Sequence, residues 1–247
     1  MSEGNVGAVV LATHETGFGA PAELGGETAA LIEVGGETLA ARVVSAAEDA
    51  ASVGTVVLVG GDDALGADEH LSTTGNPAKD IAAALALLDD CPHAIILPGN
   101  IPFVRGAEIE AFVRAAAAAS VQLAYPLVTR GGCDAAFPEI RRTYFKLVEG
   151  ELTGGNALFI DVPTFQADTA IIEKAAELRR EPAKLMTMVN PLVLLKFSSG
   201  RMGCGDIGEL AQKALGLRAT AIAINAPGLA TDIQKPGDLE VARERLG

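Results

Sequence analysis

What most constrains this chain is a series of short aliphatic runs, each followed by a longer segment with helical spacing. Val6–Leu11, Thr55–Val59, Ala94–Leu97 and Val121–Leu127 are nearly continuous stretches of apolar residues. Apolar runs of that length, without polar alternation, mark strands buried on both faces, as in a parallel sheet covered by helices on its two sides. Between them, Glu37–Ser52 sets Leu39, Val43, Ala46, Ala47 and Ala50 on one helical face, and Pro77–Leu88 and Arg105–Ser120 have the same character. Strands alternating with helices imply βαβ units in a doubly wound α/β fold.

The second half reads differently. Arg142–Val148 and Ala157–Val162 look like strands around a turn segment, Glu149–Asn156, so an antiparallel element on a mostly parallel sheet is expected. Helical stretches follow over Asp168–Arg180, Ala183–Phe197 and Gly205–Leu215, then a strand over Ala219–Ile224 and a closing helix over Pro236–Leu246. No Pro/Ser-rich linker, charge run or repeat divides the chain, and residues 1–247 read as one domain with helices on both faces of the sheet.

Charge and hydrophobicity exclude several partners. A formal net charge of −13 argues against a nucleic-acid surface, which needs clustered Lys and Arg. It also means that a phosphate ligand must be met locally, by backbone amides, a few basic residues or a divalent cation. Hydrophobic residues make up 49% of the chain, enough for a sizeable core. No apolar stretch reaches the roughly 18 residues of a spanning helix. The longest candidate, Met186–Leu195, is interrupted by Asn190 and Pro191. The N-terminus lacks the basic and apolar regions of a signal peptide, so the expectation is a cytoplasmic protein. Cys91, Cys133 and Cys204 are odd in number and lack metal-ligand spacing, which suggests reduced thiols.

In an open α/β sheet, ligands bind beyond the carboxyl ends of the strands, so the residues following each strand are the candidate site. After the first strand comes Ala12–Gly36, rich in glycine and able to wrap phosphates with backbone amides, although neither GxGxxG nor GxxxxGK[ST] is present. A surface loop is the plainer reading of that composition. After the third strand, Asn100 stands between Pro98 and Pro102. Thr153-Gly154-Gly155-Asn156 offers hydrogen bonds and close backbone approach, or else an ordinary hairpin turn. Asp232 falls between the last strand and the last helix, as a metal ligand or as a simple loop acid.

Taken in order, Leu31-Ile32-Glu33-Val34-Gly35-Gly36-Glu37-Thr38-Leu39, Leu97-Pro98-Gly99-Asn100-Ile101-Pro102-Phe103 and Asp232-Ile233-Gln234-Lys235-Pro236-Gly237-Asp238-Leu239 resemble the MobA-like NTP transferases. The resemblance spans nearly the whole chain. Arg141-Arg142-Thr143-Tyr144 with Thr153-Gly154-Gly155-Asn156 is similar to a bacterial subgroup of that family. The resemblance implies the glycosyltransferase-A-type fold and a nucleotidyltransferase activity. A small phosphorylated alcohol or sugar would attack the α-phosphate of an NTP, with Mg²⁺ neutralising the developing charge. It assigns Asn100 and Asp232 to the metal, and Leu11, Ala12, Thr13, His14 and Gly17 to the nucleotide. Thr153, Gly154, Gly155 and Asn156 would lie at the acceptor.

The chain departs from the family pattern at several of these positions. Thr13-His14 stands where Gly-Gly is expected, Ala29 where a lysine is expected, and Glu33 where proline is common. Asn100 replaces a metal-binding aspartate. An amide oxygen can ligate Mg²⁺ but brings no charge. These changes imply a weakened site and keep open a second class, a non-catalytic protein that binds a nucleotide or sugar nucleotide. On the metal-ligand reading, Asn100→Asp should strengthen Mg²⁺-dependent NTP binding. A glycosyltransferase would need an Asp-x-Asp motif, and Asp62-Asp63 and Asp89-Asp90 lack that spacing. The oligomeric state, homo-oligomer included, stays open.

Overall fold

The computed structural model describes residues 5–13, 28–174 and 191–247. Its strands, in chain order, are β1 (Val6–Leu11), β2 (Glu33–Val34), β3 (Glu37–Thr38), β4 (Val53–Val59), β5 (Glu69–Leu71), β6 (His93–Pro98), β7 (Leu123–Thr129), β8 (Phe145–Leu147), β9 (Gly150–Gly154), β10 (Leu158–Asp161) and β11 (Ala219–Ile224). β2 and β3 form a small hairpin of their own. The others make one sheet in the order β5-β4-β1-β6-β10-β7-β9-β8, with β11 along the remaining edge of β7.

The apolar runs become central strands because both of their faces are covered. Val6, Ala8 and Val10 of β1 enter one core and Val9 and Leu11 the other. Val56 and Leu58 alternate with Val57 and Val59 on β4, and Ile95 and Leu97 with Ala94 and Ile96 on β6. Helices Leu39–Glu48 and Gly106–Ala118 cover the first face through Val43, Val44, Ala47, Ile109, Phe112 and Val113. Helices Pro77–Leu85 and Val162–Ala167 cover the second through Ala78, Leu85, Val162 and Phe165. Local chemistry sets where these helices begin. The Thr38 hydroxyl accepts from the Ala41 N–H, and the Asn76 side chain accepts from the Ala78 and Lys79 N–H groups ahead of Pro77.

β1, β4 and β6 are parallel neighbours, as their sequences imply. β7 does not lie beside β6. The antiparallel β10 is inserted between them, pairing Phe159 with Ile95 on one side and with Ala124 on the other. The reading of Glu149–Asn156 as one turn is also corrected. The hairpin joins β8 to β9, so Thr153 and Gly154 are strand residues paired with Val128 and Leu127. One edge of β7 is therefore shared, with β10 along its first half and β9 along its second. Pro126 stands at the handover, where its carbonyl accepts from the Gly155 N–H at 2.9 Å. The N–H and C=O of a strand residue point to the same edge, so proline leaves no donor stranded in this gap.

Helices Pro191–Ser198, Cys204–Leu215 and Pro236–Leu246 and strand β11 match the sequence reading closely where it falls on described residues. Residues 175–190, which include most of the expected helix Ala183–Phe197, lie outside them. No described helix is long and apolar enough to cross a membrane, and the three cysteines are free thiols.

Candidate active site

β1, β4, β6, β7 and β11 run in one direction, so the segments that follow them gather at one edge of the sheet. Leu11 ends β1 with its side chain in the core, and its carbonyl accepts from the Gly99 N–H at 2.8 Å. The Ala12 N–H donates to the Val59 carbonyl at 2.8 Å, so both bonds are spent within the sheet and Thr13 is the first residue beyond them. Gly60 follows β4 at φ +92°, and a Cβ there would fall 2.3 Å from the Ala12 carbonyl oxygen. Nothing larger than glycine fits that approach. A Cβ on Gly99 would come within 2.9 Å of Ala30 Cβ and 3.1 Å of the Leu11 carbonyl oxygen. These two contacts bring the ends of β1, β4 and β6 together.

Thr13 is 7% exposed, and its Oγ1 is buried with no hydrogen-bond partner among the described residues. Orphaned buried hydroxyls are uncommon in folded proteins and call for an explanation. His14 and Gly17 lie outside the described residues.

Asn100, 5% exposed, opens the segment after β6. Its Nδ2 donates to the Ile233 carbonyl at 3.1 Å, and its own carbonyl accepts from the Ile233 N–H at 2.8 Å. Ile233 is fully buried with Val34, Leu39, Leu239 and Ala242. On the other side of Asp232, the Thr231 hydroxyl donates to the Pro227 carbonyl at 2.7 Å and accepts from Arg142 Nη2. Asp232, partly exposed, is thus the accessible residue between two buried and fixed neighbours, and its Oδ2 accepts from Gln234 Nε2. The geometry brings Asn100 against the residue that follows Asp232.

Thr153–Asn156 reaches the segment that carries Asp232, a strap over residues 226–233. The Asn156 N–H donates to the Leu229 carbonyl at 2.7 Å, and the Gly155 carbonyl accepts from Tyr125 Oη at 2.6 Å. Thr153 and Asn156 are both buried. Two residues that position this strap, and Gly60 beside the end of β1, were not singled out as site residues from the sequence. Arg142 donates to the carbonyls of Phe137, Ile140 and Ala230 as well as to Thr231, which commits its charge to the backbone. Glu108 accepts from the Gly228 N–H at 3.0 Å. Gly60 was legible only as half of a Gly-Gly pair after an apolar run.

Beside this centre, a groove of about 400 Å³ opens between the end of β7 and the β8–β9 turn. It carries Arg130 against Asp134, Glu149 and Glu151. Arg130 is paired with Asp134 at 3.0 Å and Glu151 at 3.3 Å and lies over the Tyr144 ring. With three acids against one engaged cation, the groove disfavours a phosphate group. The nearby Tyr144 hydroxyl is pushed up to about 12, first by burial and then by the neighbouring Cys133 and Asp134.

No described cluster of three or more His, Cys, Asp or Glu residues is placed to share a cation. The donors at the centre are one carboxylate, on Asp232, and the amide Oδ1 of Asn100, whose Nδ2 is already engaged. Mg²⁺ commonly takes one or two carboxylates and completes its shell with phosphate oxygens and water. This donor set fits a cation that shares the phosphates of a bound nucleotide.

The family model for the MobA-like NTP transferase domain matches residues 18–189, well over half of the chain. The chain belongs to this family. The match includes Asn100 and Thr153–Asn156 and leaves Leu11–Gly17 and Asp232 outside it. A hypothetical transferase from Thermus thermophilus is similar over 95% of this chain and 99% of its own, at 29% identity and TM-score 0.79. Two more distant structures of the same fold are a 2-C-methyl-D-erythritol 4-phosphate cytidylyltransferase, also from Thermus thermophilus, and a CMP:2-keto-3-deoxy-manno-octonic acid synthetase complexed with CTP. The first has 18% identity, TM-score 0.53 and coverage of 99% of this chain and 98% of its own. The second has 12% identity, TM-score 0.56 and coverage of 97% and 96%. No curated protein matches the chain. The fold is that of the nucleotidyltransferases.

Proposed function

We propose that the protein transfers a nucleoside monophosphate from an NTP to a small phosphorylated alcohol or sugar, at the sheet edge between Thr13, Asn100, Asn156 and Asp232. What supports this reading is the chain of bonds from Leu11 to Gly99 and from Asn100 to Ile233, next to Asp232, with a buried Thr13 hydroxyl at the end of β1 that has no partner among the described residues. The loop that leaves β1 after Leu11 and Ala12, at Thr13, His14 and Gly17, would hold the triphosphate. Asp232 and Asn100 Oδ1 would hold Mg²⁺, which supplies charge neutralisation at the phosphates when bound. Thr153–Asn156 would face the acceptor. The chain's own contribution is orientation of the reacting phosphates and exclusion of water by the buried strap.

A second reading, a protein that binds a nucleotide or sugar nucleotide without turning it over, is favoured by the donor set. One carboxylate and one amide hold Mg²⁺ less tightly than two carboxylates would, so less of the cation that meets the developing charge is bound. Pyrophosphate release from ATP, GTP, CTP and UTP with Mg²⁺ and a panel of sugar and polyol phosphates tests the first reading. Thermal shifts with the same triphosphates and with sugar nucleotides test the second. Binding with no turnover in any combination would favour the second reading. No binding in any combination would remove both.

A further inference from the structure

We propose that Asn100 is a positioning residue for Asp232, acting through a two-point clamp on Ile233 that requires the side-chain amide N–H. This rests on the reading of Asp232 as the site carboxylate. The atom of Asn100 that faces the Ile233 carbonyl at 3.1 Å must be a donor, which fixes the amide orientation with Nδ2 toward Ile233. The backbone bond from the Ile233 N–H to the Asn100 carbonyl, at 2.8 Å, closes the clamp. Ile233 is held a third way, by its side chain in the cluster of Val34, Leu39, Leu239 and Ala242. Thr231 is pinned separately, by Arg142 and by the Pro227 carbonyl. Asp232 has a fixed residue on each side, and Asn100 supplies the fixing on the side toward β6.

This reverses the expectation that an aspartate at position 100 would improve the site. A carboxylate has the shape of the amide but no N–H, and at 5% exposure it would set an acceptor against the Ile233 carbonyl. The gain of a charge toward a cation is then opposed by release of the strap that presents Asp232. Asn100 keeps Oδ1 available while Nδ2 holds the strap, and neither Asp nor Ala can do both.

The test compares wild type, Asn100→Asp, Asn100→Ala, Asp232→Asn and the Asn100→Ala/Asp232→Asn double variant. Each is titrated by calorimetry with ATP, GTP, CTP and UTP, with Mg²⁺ and with EDTA. Backbone hydrogen exchange over residues 231–234 is measured on the same proteins. Losing the clamp should weaken Mg²⁺-linked triphosphate binding by about tenfold or more in both Asn100 variants, on the scale of one unmade buried hydrogen bond. Binding in EDTA should change little, and exchange at 231–234 should quicken. In the Asp232→Asn background, Asn100→Ala should change affinity less than about twofold, because the two residues act through one group. Tighter Mg²⁺-linked binding by Asn100→Asp, or an equal loss in both backgrounds, would overturn the proposal. Should wild type bind none of the triphosphates, the proposed function falls, and exchange alone decides the clamp. Faster exchange in both Asn100 variants would support it, and unchanged exchange would overturn it.

Discussion

Removing the Glu108 carboxylate should destabilise the protein far more than removing its ion-pair partner. Glu108 is 5% exposed on the first turn of helix Gly106–Ala118. One oxygen accepts from the Gly228 N–H and the other from the Arg105 N–H, each at 3.0 Å. The packing around the carboxylate is tight, since a Cβ on Gly228 would stand 2.4 Å from Glu108 Oε2. Hydrogen bonds to a charged group contribute roughly 1.5–3 kcal/mol each, so Glu108→Ala, which strands both donors, should cost about 3–5 kcal/mol. Glu108→Gln keeps one acceptor and turns an NH₂ toward an N–H, for about 2 kcal/mol. The Arg105 side chain is 74% exposed with its Nε 3.6 Å from the carboxylate. An exposed pair of this kind contributes about 0–1 kcal/mol, which bounds the cost of Arg105→Ala. Urea unfolding at neutral pH measures all three, with an unchanged m-value showing that the same surface is exposed. A cost below about 1 kcal/mol for Glu108→Ala, or equal costs for Arg105→Ala and Glu108→Ala, would refute the view that backbone hydrogen bonds dominate here.

Two further outcomes follow from titrating groups. Burial, and then the Glu149 carboxylate, push the Cys204 thiol up to about 11, so only roughly a thousandth is thiolate at pH 8. Iodoacetamide at that pH should modify Cys204 at least about a hundredfold more slowly in the folded protein than in urea, and equal rates would contradict this placement. Asp206 is held below the ordinary carboxylate range by Lys196 and by the Gly203 N–H at the start of helix Cys204–Leu215. A depressed carboxylate contributes stability that is full above its unfolded-state value, near 3.9, and is lost as the pH falls below that toward the folded-state value. Asp206→Asn should therefore flatten the acid limb of unfolding free energy against pH, and an unchanged limb would count against the assignment.

The sequence by itself determined the layers of this protein and the edge where chemistry gathers. Val6–Leu11, Thr55–Val59 and Ala94–Leu97 are apolar on both faces, and only strands covered on two sides bury such runs. Their parallel pairing follows from the helical segments between them. Asn100, Thr153–Asn156 and Asp232 were legible as candidates because each lies next to a strand-like run, and the family pattern supplied their order. Tertiary structure alone decided which segments are neighbours. Periodicity is a local property, and it carries no record of which strand pairs with which. The insertion of β10 between β6 and β7 depends on contacts between residues 35 to 68 positions apart. The same holds at the centre. That Asn100 spends its amide on Ile233 is a hydrogen bond across 133 positions, and no reading of either segment alone contains it. Residue type could propose a metal ligand at position 100, but only the fold reveals which atom of that residue is already engaged.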